Sequence, residues 1–428
     1  MKQRDIVILG AGLAGLSAAY HLRDLDLEVV DVADHVGGRT KSVLLPNGPW
    51  MNYGAQYIPE DRPHVVALAD AVGVELLPYA GFEDYGKQLL PSDPADRAEA
   101  EAAIERIKAE QKNPRPATLP ELDEQSFADW LGPMSPRVAA CFEAAFELMS
   151  CSSTVELSLY GGLWIWGDQR STPWSTEDVP RHGRGELIVA GGTGQLAEAV
   201  ARAIGGRVSL RTFARGVSKE SDGYAVELEN ETGVRRLRAR RIICALPAPL
   251  AIEVLPELPG WKRAALRAVR YARVISTPIV VSPRGVVPTR YALLASRPTV
   301  QYNIDHFMGH TPGDFDSLGG CFHSYMANAA ARQVWDDPDE SIKSGAIRAL
   351  LTRFPEYRDR VVCVDIQRWE YGVPQYCRGL MKHFPALAEP VDGIHFCGDY
   401  TWQSNMEGAV RSGHRAAVQV RAAIIPGG

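Results

Sequence analysis

Six residues near the N-terminus have the types and spacing to hold a phosphate: Gly10-Ala11-Gly12-Leu13-Ala14-Gly15. The pattern is G-x-G-x-x-G. The first glycine permits a tight turn, the second lets backbone approach a pyrophosphate, and the third lets a helix pack on a strand. The flanks have the required character. Asp5-Ile6-Val7-Ile8-Leu9 is a short β-branched apolar run, the pattern of a buried parallel strand, and Leu16-Ser17-Ala18-Ala19-Tyr20-His21-Leu22 continues as a helix. The start of that helix presents free N–H groups and the positive end of its dipole. A second strand, Leu27-Glu28-Val29-Val30, ends on Asp31, 21 positions after Gly10. An acid at that spacing can accept hydrogen bonds from both ribose hydroxyls of an adenosine. The constellation predicts dinucleotide binding.

The chain that carries it has 428 residues, enough for two or three domains at about 150 residues each. It is 46% hydrophobic and 23% charged, which excludes a disordered chain, a collagen and a coiled coil. A formal net charge of −6 lacks the basic excess that nucleic acid or an anionic membrane would need. Nine Lys against 37 Arg reads as the codon bias of a GC-rich genome. Seven cysteines, an odd number without a C-x-x-C, fit a reducing compartment and argue against a disulfide framework or a zinc site. Ile6 to Tyr20 is apolar and follows Lys2 and Arg4, as in a signal peptide, but three glycines interrupt it and no small-residue cleavage site follows. No run of about 18 apolar residues occurs, so no membrane span is expected, and the location expected is cytoplasmic.

Beyond Asp31 the chain reads Ala33-Asp34-His35-Val36-Gly37-Gly38-Arg39-Thr40. A strand ending in an acid and followed by G-G-R resembles the flavin-containing amine oxidase superfamily. Its members include monoamine and polyamine oxidases, L-amino-acid oxidases, protoporphyrinogen oxidases and carotenoid desaturases. Arg39 beside Gly38 is placed to neutralise a pyrophosphate. The family more often has Glu where this chain has Asp31. Asn52-Tyr53-Gly54-Ala55-Gln56-Tyr57 is similar to the family segment whose backbone passes close to the flavin, and the resemblance assigns Gly54, Ala55 and Gln56 to the cofactor.

Gly191-Gly192-Thr193-Gly194-Gln195-Leu196 resembles the segment that opens a helix midway along these enzymes. Val208-Ser209-Leu210-Arg211-Thr212-Phe213 then reads as one strand, with Phe213 at the adenine contact that the family implies. Two alternating strands pair through Asn230-Glu231-Thr232-Gly233 and end in Ile242-Ile243-Cys244-Ala245-Leu246-Pro247. Gly393-Ile394-His395-Phe396-Cys397-Gly398-Asp399 reads as a strand and turn, and Asn405-Met406-Glu407-Gly408 opens the last helix. In the family the acid at Asp399, beside Gly398, holds the ribityl or pyrophosphate end of FAD, and N–H groups around Met406 face the flavin N1/O2 edge. Trp369 to Gly379 resembles a further segment near the flavin, which adds Trp369.

A flavin takes hydride from a C–H next to nitrogen, or from a carbon chain that it desaturates. Amine and polyamine oxidases usually carry a Lys in the strand after the substrate-domain crossover. Here that stretch is Arg273-Val274-Ile275-Ser276-Thr277-Pro278-Ile279-Val280, with Ser276 at the Lys position and Lys262 and Lys343 the nearest lysines on either side in sequence. Monoamine oxidases place a Tyr before Met-Glu-Gly, where this chain has Asn405. Pro374-Gln375-Tyr376 is closer to protoporphyrinogen oxidases. Cys377 lies near, but not on, the position of the cysteine that bonds flavin in monoamine oxidases, and reads as a half-buried thiol. Glu60 follows the flavin-side loop. It reads either as a base or ammonium-binding carboxylate, or as a surface acid in Pro59-Glu60-Asp61-Arg62-Pro63. Trp164, Trp166 and Trp174 read as core, or as the lining of an apolar pocket. The substrate contacts expected are Tyr57, Trp166, Tyr325 and Trp402.

The fold expected is α/β: a Rossmann-like FAD-binding domain from 1–82, 187–250 and 385–428, with a discontinuous α+β substrate-binding domain from 83–186 and 251–384. Residues 94–112 read as an exposed charged helix, with Pro114, Pro116 and Pro120 in a loop after it. The activity expected is an FAD-dependent oxidase that takes hydride from a C–N bond of a small amine, amide or amino acid, reoxidised by O₂. A desaturase or protoporphyrinogen-oxidase-like dehydrogenase acting on C–C bonds is the alternative. A small-molecule substrate and a homodimer are the partners expected.

Overall fold

The computed structural model describes residues 2–44, 50–79, 90–112, 120–164, 186–282, 292–294, 306–310 and 320–424. Two large sheets organise the chain. In the first, the order is Val208–Ser209, Leu27–Val30, Lys2–Leu9, Gly233–Cys244, Gly223–Asn230 and Phe213–Glu220, with Ile394–Phe396 paired to Gly233–Cys244. Lys2–Leu9 runs parallel to both neighbours, with Leu9 opposite Val30 on one side and Cys244 on the other. Ile6, Val7, Ile8 and Leu9 have no exposed surface, because Ile6 and Ile8 pack in one apolar cluster with Leu13–His21 and Met406–Ile424, and Val7 and Leu9 in another with Ala214, Val226, Ala251 and Leu266. That double burial is why the segment is apolar throughout rather than alternating.

The helix Leu13–His21 packs on the last helix, Met406–Ile424, where the Ser17 hydroxyl donates to Val410 O at 2.8 Å. Chain ends are thereby brought to one face of the sheet. The expected strand Val208–Phe213 is divided. Arg211 takes φ +49°, so the chain turns after Val208–Ser209 and re-enters as the separate strand Phe213–Glu220. The hairpin through Asn230 and Gly233 forms at the expected turn, with those two residues paired.

The second sheet has the order Ala292–Leu294, His306–His310, Gly320–Ala327, Arg270–Val281 and Val361–Val364, with Gln367–Gln375 also paired to Arg270–Val281. A helical layer that includes Pro94–Gln111 and Pro136–Ser150 has its own core around Phe127, Phe142 and Phe146. Asp93 starts Pro94–Gln111 by accepting from Ala95 N and Asp96 N at 2.9 and 3.1 Å. The helix is charged, as read from sequence, but Ala100, Ala103, Ile104 and Ile107 are buried along one face. The helices Ala248–Val254 and Gly260–Ala268 pack with the first sheet, through Ala251, Val254, Ala265 and Leu266.

Lys262 anchors that packing. Fully buried, its ammonium donates to Ala386 O, Leu387 O and Glu389 O at 2.8, 3.0 and 2.7 Å, and lies 3.6 Å from the Phe396 ring centroid. Three carbonyls at the end of the helix Phe384–Ala388 are thus satisfied by one side chain. All seven cysteines are free. Among the described residues no helix is long and apolar enough to cross a membrane.

Candidate active site

The glycine segment forms a cradle at the start of Leu13–His21. Gly10 takes φ +104°, and a Cβ on Gly15 would lie 2.0 Å from Gly10 O, so neither position admits a side chain. Gly12 is the N-cap and offers no side chain to the first-turn N–H groups. Nothing lies within 4 Å of where a Gly12 Cβ would stand. Open space against uncapped N–H groups is what a pyrophosphate fits. Leu13 and Ala14 are buried and present only backbone there, and Ala11 O accepts from Gly37 N at 2.8 Å, which ties the G-G-R turn to the cradle.

Asp31 braces the glycine loop. Its Oδ2 accepts from Ala11 N at 2.6 Å and its Oδ1 from Ala33 N at 2.8 Å. The carboxylate fixes the loop on both sides, a reach that suits the short aspartate. Phe213 is 51% exposed and Val32 is 67% exposed, on segments joined by Thr212 N to Asp31 O at 2.8 Å. Two exposed apolar side chains at the end of the second strand fit the flat face of an adenine.

Arg39 leaves the G-G-R turn toward the C-terminal segment. Its Nη1 and Nη2 donate to Asp399 Oδ2 and Oδ1 at 2.7 and 2.8 Å, and Nη1 also donates to Gly372 O at 3.0 Å. Burial works against the guanidinium charge, but the Asp399 carboxylate outweighs it and raises the Arg39 pKa. Gly398 N donates to Ser412 Oγ at 2.9 Å, and Asn405 Oδ1 accepts from Gly408 N at 2.9 Å, capping the helix that begins at Met406. The next side chain, Glu407, accepts from Val65 N at 3.0 Å and from His64 Nδ1 at 2.6 Å, so it caps the helix Pro63–Ala71.

The loop after Trp50–Asn52 faces the second sheet. There Cys321, His323 and Tyr325 alternate onto one face of Gly320–Ala327, opposite Val280, Pro278 and Ser276 of Arg270–Val281. Ser276 is fully buried beside Tyr325. Tyr325 is 7% exposed; its hydroxyl donates to Gly54 O at 2.8 Å and accepts from Gln56 Nε2. The tyrosine expected at the substrate therefore commits its polar end to the loop. Trp369 Nε1 donates to Tyr53 O at 2.6 Å. Ala55 N donates to Arg39 O at 3.0 Å, which links this loop to the G-G-R turn.

Other expected residues are more dispersed. Tyr57 packs between the Trp50–Ile188 cluster and the helical core. Glu60 is exposed on the turn after Ile58–Pro59. Trp402 is 42% exposed, with the Arg411 guanidinium 3.7 Å from its ring centroid. Trp166 and Trp174 lie outside the described residues. Burial pushes the Cys377 thiol up to about 11, which keeps it protonated at neutral pH. Sequence reasoning missed His323, and it named Tyr376 and Glu407 only as members of longer segments, without a role of their own. Tyr376 accepts from Ser404 N at 2.9 Å just before the last helix. The alternation Cys321, His323, Tyr325 was the available signal for His323. Among the described residues no group of three or more His, Cys, Asp or Glu could hold a metal ion.

The sequence pattern of the family described as "Flavin containing amine oxidoreductase" matches residues 13–421. The chain belongs to that family. It is an oxidoreductase and its cofactor is FAD. It is 21% identical to "Amine oxidase [flavin-containing] B" of Bos taurus, covering 97% of this chain and 86% of that one. Identity to "Amine oxidase [flavin-containing] A" of Bos taurus is 24%, covering 97% of this chain and 84% of that one. A solved putrescine oxidase shares the fold with a TM-score of 0.79 at 21% identity, covering 99% of both chains. Cyclohexylamine oxidase from Brevibacterium oxydans does so with a TM-score of 0.77 at 21% identity, covering 98% of this chain and 99% of that one.

Proposed function

We propose that this flavin amine oxidoreductase oxidises a small amine, removing hydride from the carbon beside nitrogen, with O₂ as the electron acceptor. One observation carries the reading. The cradle at Gly10–Gly15, the Arg39–Asp399 pair and the Gly54–Gln56 loop are hydrogen-bonded into one unit within a chain matched over residues 13–421 by an amine-oxidising family. FAD, when bound, supplies the two-electron acceptor. The chain's own residues do the holding. Gly10, Ala11, Gly12, Leu13, Ala14 and Gly15 take the pyrophosphate on backbone N–H groups, and Asp31 fixes that loop. Val32 and Phe213 flank the adenine. Gly38, Arg39, Gly398 and Asp399 hold the central part of the cofactor. Gly54, Ala55, Gln56 and Met406 meet the ring, and Trp369 serves the cofactor from behind that loop, through Tyr53 O. The first N–H groups of the last helix favour negative charge there.

Residues 1–82, 187–250 and 385–428 make the FAD domain in this reading, extended to take in the helices Ala248–Val254 and Gly260–Ala268. The second sheet and the helical layer make the substrate domain. Tyr57 and Trp402 remain the described candidates for substrate contact.

The test is anaerobic bleaching of the visible flavin band by amines, amino acids, N-acyl amines and polyene- or porphyrinogen-like compounds. Bleaching by an amine, reversed on admitting air, is the expected result. Bleaching only by the carbon-chain compounds would replace this reading with dehydrogenation of C–C bonds, the reading that Ser276 at the Lys position favours.

A further inference from the structure

Three successive carbonyl groups of the flavin-side loop are each taken by a different aromatic side chain of the second sheet. His323 Nδ1 donates to Asn52 O at 2.9 Å, Trp369 Nε1 to Tyr53 O at 2.6 Å, and the Tyr325 hydroxyl to Gly54 O at 2.8 Å. The carbonyl acceptor requires the proton of His323 to sit on Nδ1. His323 is fully buried, and its ring lies 6.5 Å from that of Tyr325, tilted by 27°. On its other edge the loop is held by Tyr53 N to Lys41 O at 2.9 Å and Ala55 N to Arg39 O at 3.0 Å. A single loop is thus gripped from both domains.

We propose that His323, Tyr325 and Trp369 are positioning residues for the cofactor, setting from the substrate-domain sheet how Gly54–Gln56 meets the flavin ring. The inference rests on the reading that the ring lies against that loop. The physical consequence is electrostatic. A carbonyl held in the sheet points its negative end away from the cofactor. Released, it can turn toward the ring and oppose the arrival of electrons there. The three donors therefore make the flavin easier to reduce, and they couple its electronics to the sheet that lines the substrate side. Tyr325 acts on the cofactor through Gly54 rather than by touching substrate.

Tyr325→Phe and Trp369→Phe test this, because each removes one donor and leaves an aromatic ring in place, the same ring at Tyr325 and a smaller one at Trp369. The readouts are the visible absorption band, the midpoint potential and the FAD dissociation constant of the full chain. Tyr20→Phe, a tyrosine remote from the loop, is the control. In both variants the expected result is a displaced band, a more negative potential, and FAD held about fivefold more weakly, the worth of one net hydrogen bond. Loss of flavin with the melting temperature of the FAD-free chain unchanged would also support the proposal. An unchanged band and potential in both variants would overturn it, as would a lowered melting temperature with spectrum and potential intact, which marks a role in stability alone. Failure of the wild-type chain to take up FAD would instead remove the flavin reading, and this inference with it.

Discussion

Arg39 and Asp399, 360 positions apart, form a bidentate ion pair that closes the chain on itself. Asp399 is 5% exposed, so its carboxylate depends on this partner. Removing one side of a buried pair leaves an uncompensated charge. Because Arg39 is partly open to solvent, the expected loss for Arg39→Met is about 2 kcal/mol, below the range for fully buried pairs. Urea unfolding of the FAD-free chain measures it. Asp399→Leu in the same background should recover part of the loss, and a double mutant no better than the sum of the singles would show the pair is not coupled.

Asp31→Ala deletes the acceptor for both Ala11 N and Ala33 N, so the glycine loop loses its brace, in addition to the ribose contact proposed for that carboxylate. The purified variant should be colourless, as should Gly12→Glu, which fills the open space at Gly12 with a negative charge. Asp31→Glu restores a carboxylate one methylene further out and should retain partial FAD. Absorbance of the purified proteins decides, and a fully yellow Asp31→Ala protein would refute the brace.

The glycine cradle was legible because its demands fall on the backbone. Gly10, Gly12 and Gly15 are required by a turn, an open face and a close approach, and such requirements leave glycine at fixed spacing. The hairpin at Asn230–Gly233 was legible for the same reason. The division at Arg211 was not, since a left-handed arginine carries no residue-type signal. The helices at 248–268 read as the start of the next domain, yet their apolar faces close the first sheet; periodicity shows that a face is buried, not against what. On the substrate side, Tyr325 was read as a substrate contact and Trp369 as a cofactor contact, but their O–H and N–H partners are carbonyls 271 and 316 positions away. Backbone acceptors are the same in every residue, so no sequence pattern points to them.

His395 lies in the strand Ile394–Phe396, 3% exposed. Burial pulls its pKa from 6.5 down to about 4. The unfolded chain therefore binds a proton first as pH falls. The stability of the neutral ring is fully present above pH 6.5 and is lost progressively down to about pH 4, for a total of about 3 kcal/mol. His395→Gln should flatten this acid limb in chemical unfolding measured between those two pH values. An identical pH dependence in the variant would show that other groups carry it.

Glu147 should give the opposite slope. It sits on the helix Pro136–Ser150, and burial, with Glu143 and Glu156 nearby, pushes its pKa from 4.5 up to about 7. Asn328 Nδ2 donates to it at 3.3 Å and to Glu156 at 3.0 Å, which only partly offsets the repulsion. Here the folded chain holds the proton longer than the unfolded one. The favourable contribution is complete below pH 4.5 and disappears as pH rises through about 7. Glu147→Gln keeps the shape and the acceptor for Asn328 while removing the charge. Discounted for partial exposure, the gain expected at pH 8 is about 1–2 kcal/mol, with no gain at pH 4. Thermal unfolding of both proteins at the two pH values checks it. A variant that is destabilised at pH 8 would mean that the Glu147 carboxylate is held ionised by a cation, reversing the sign of its contribution.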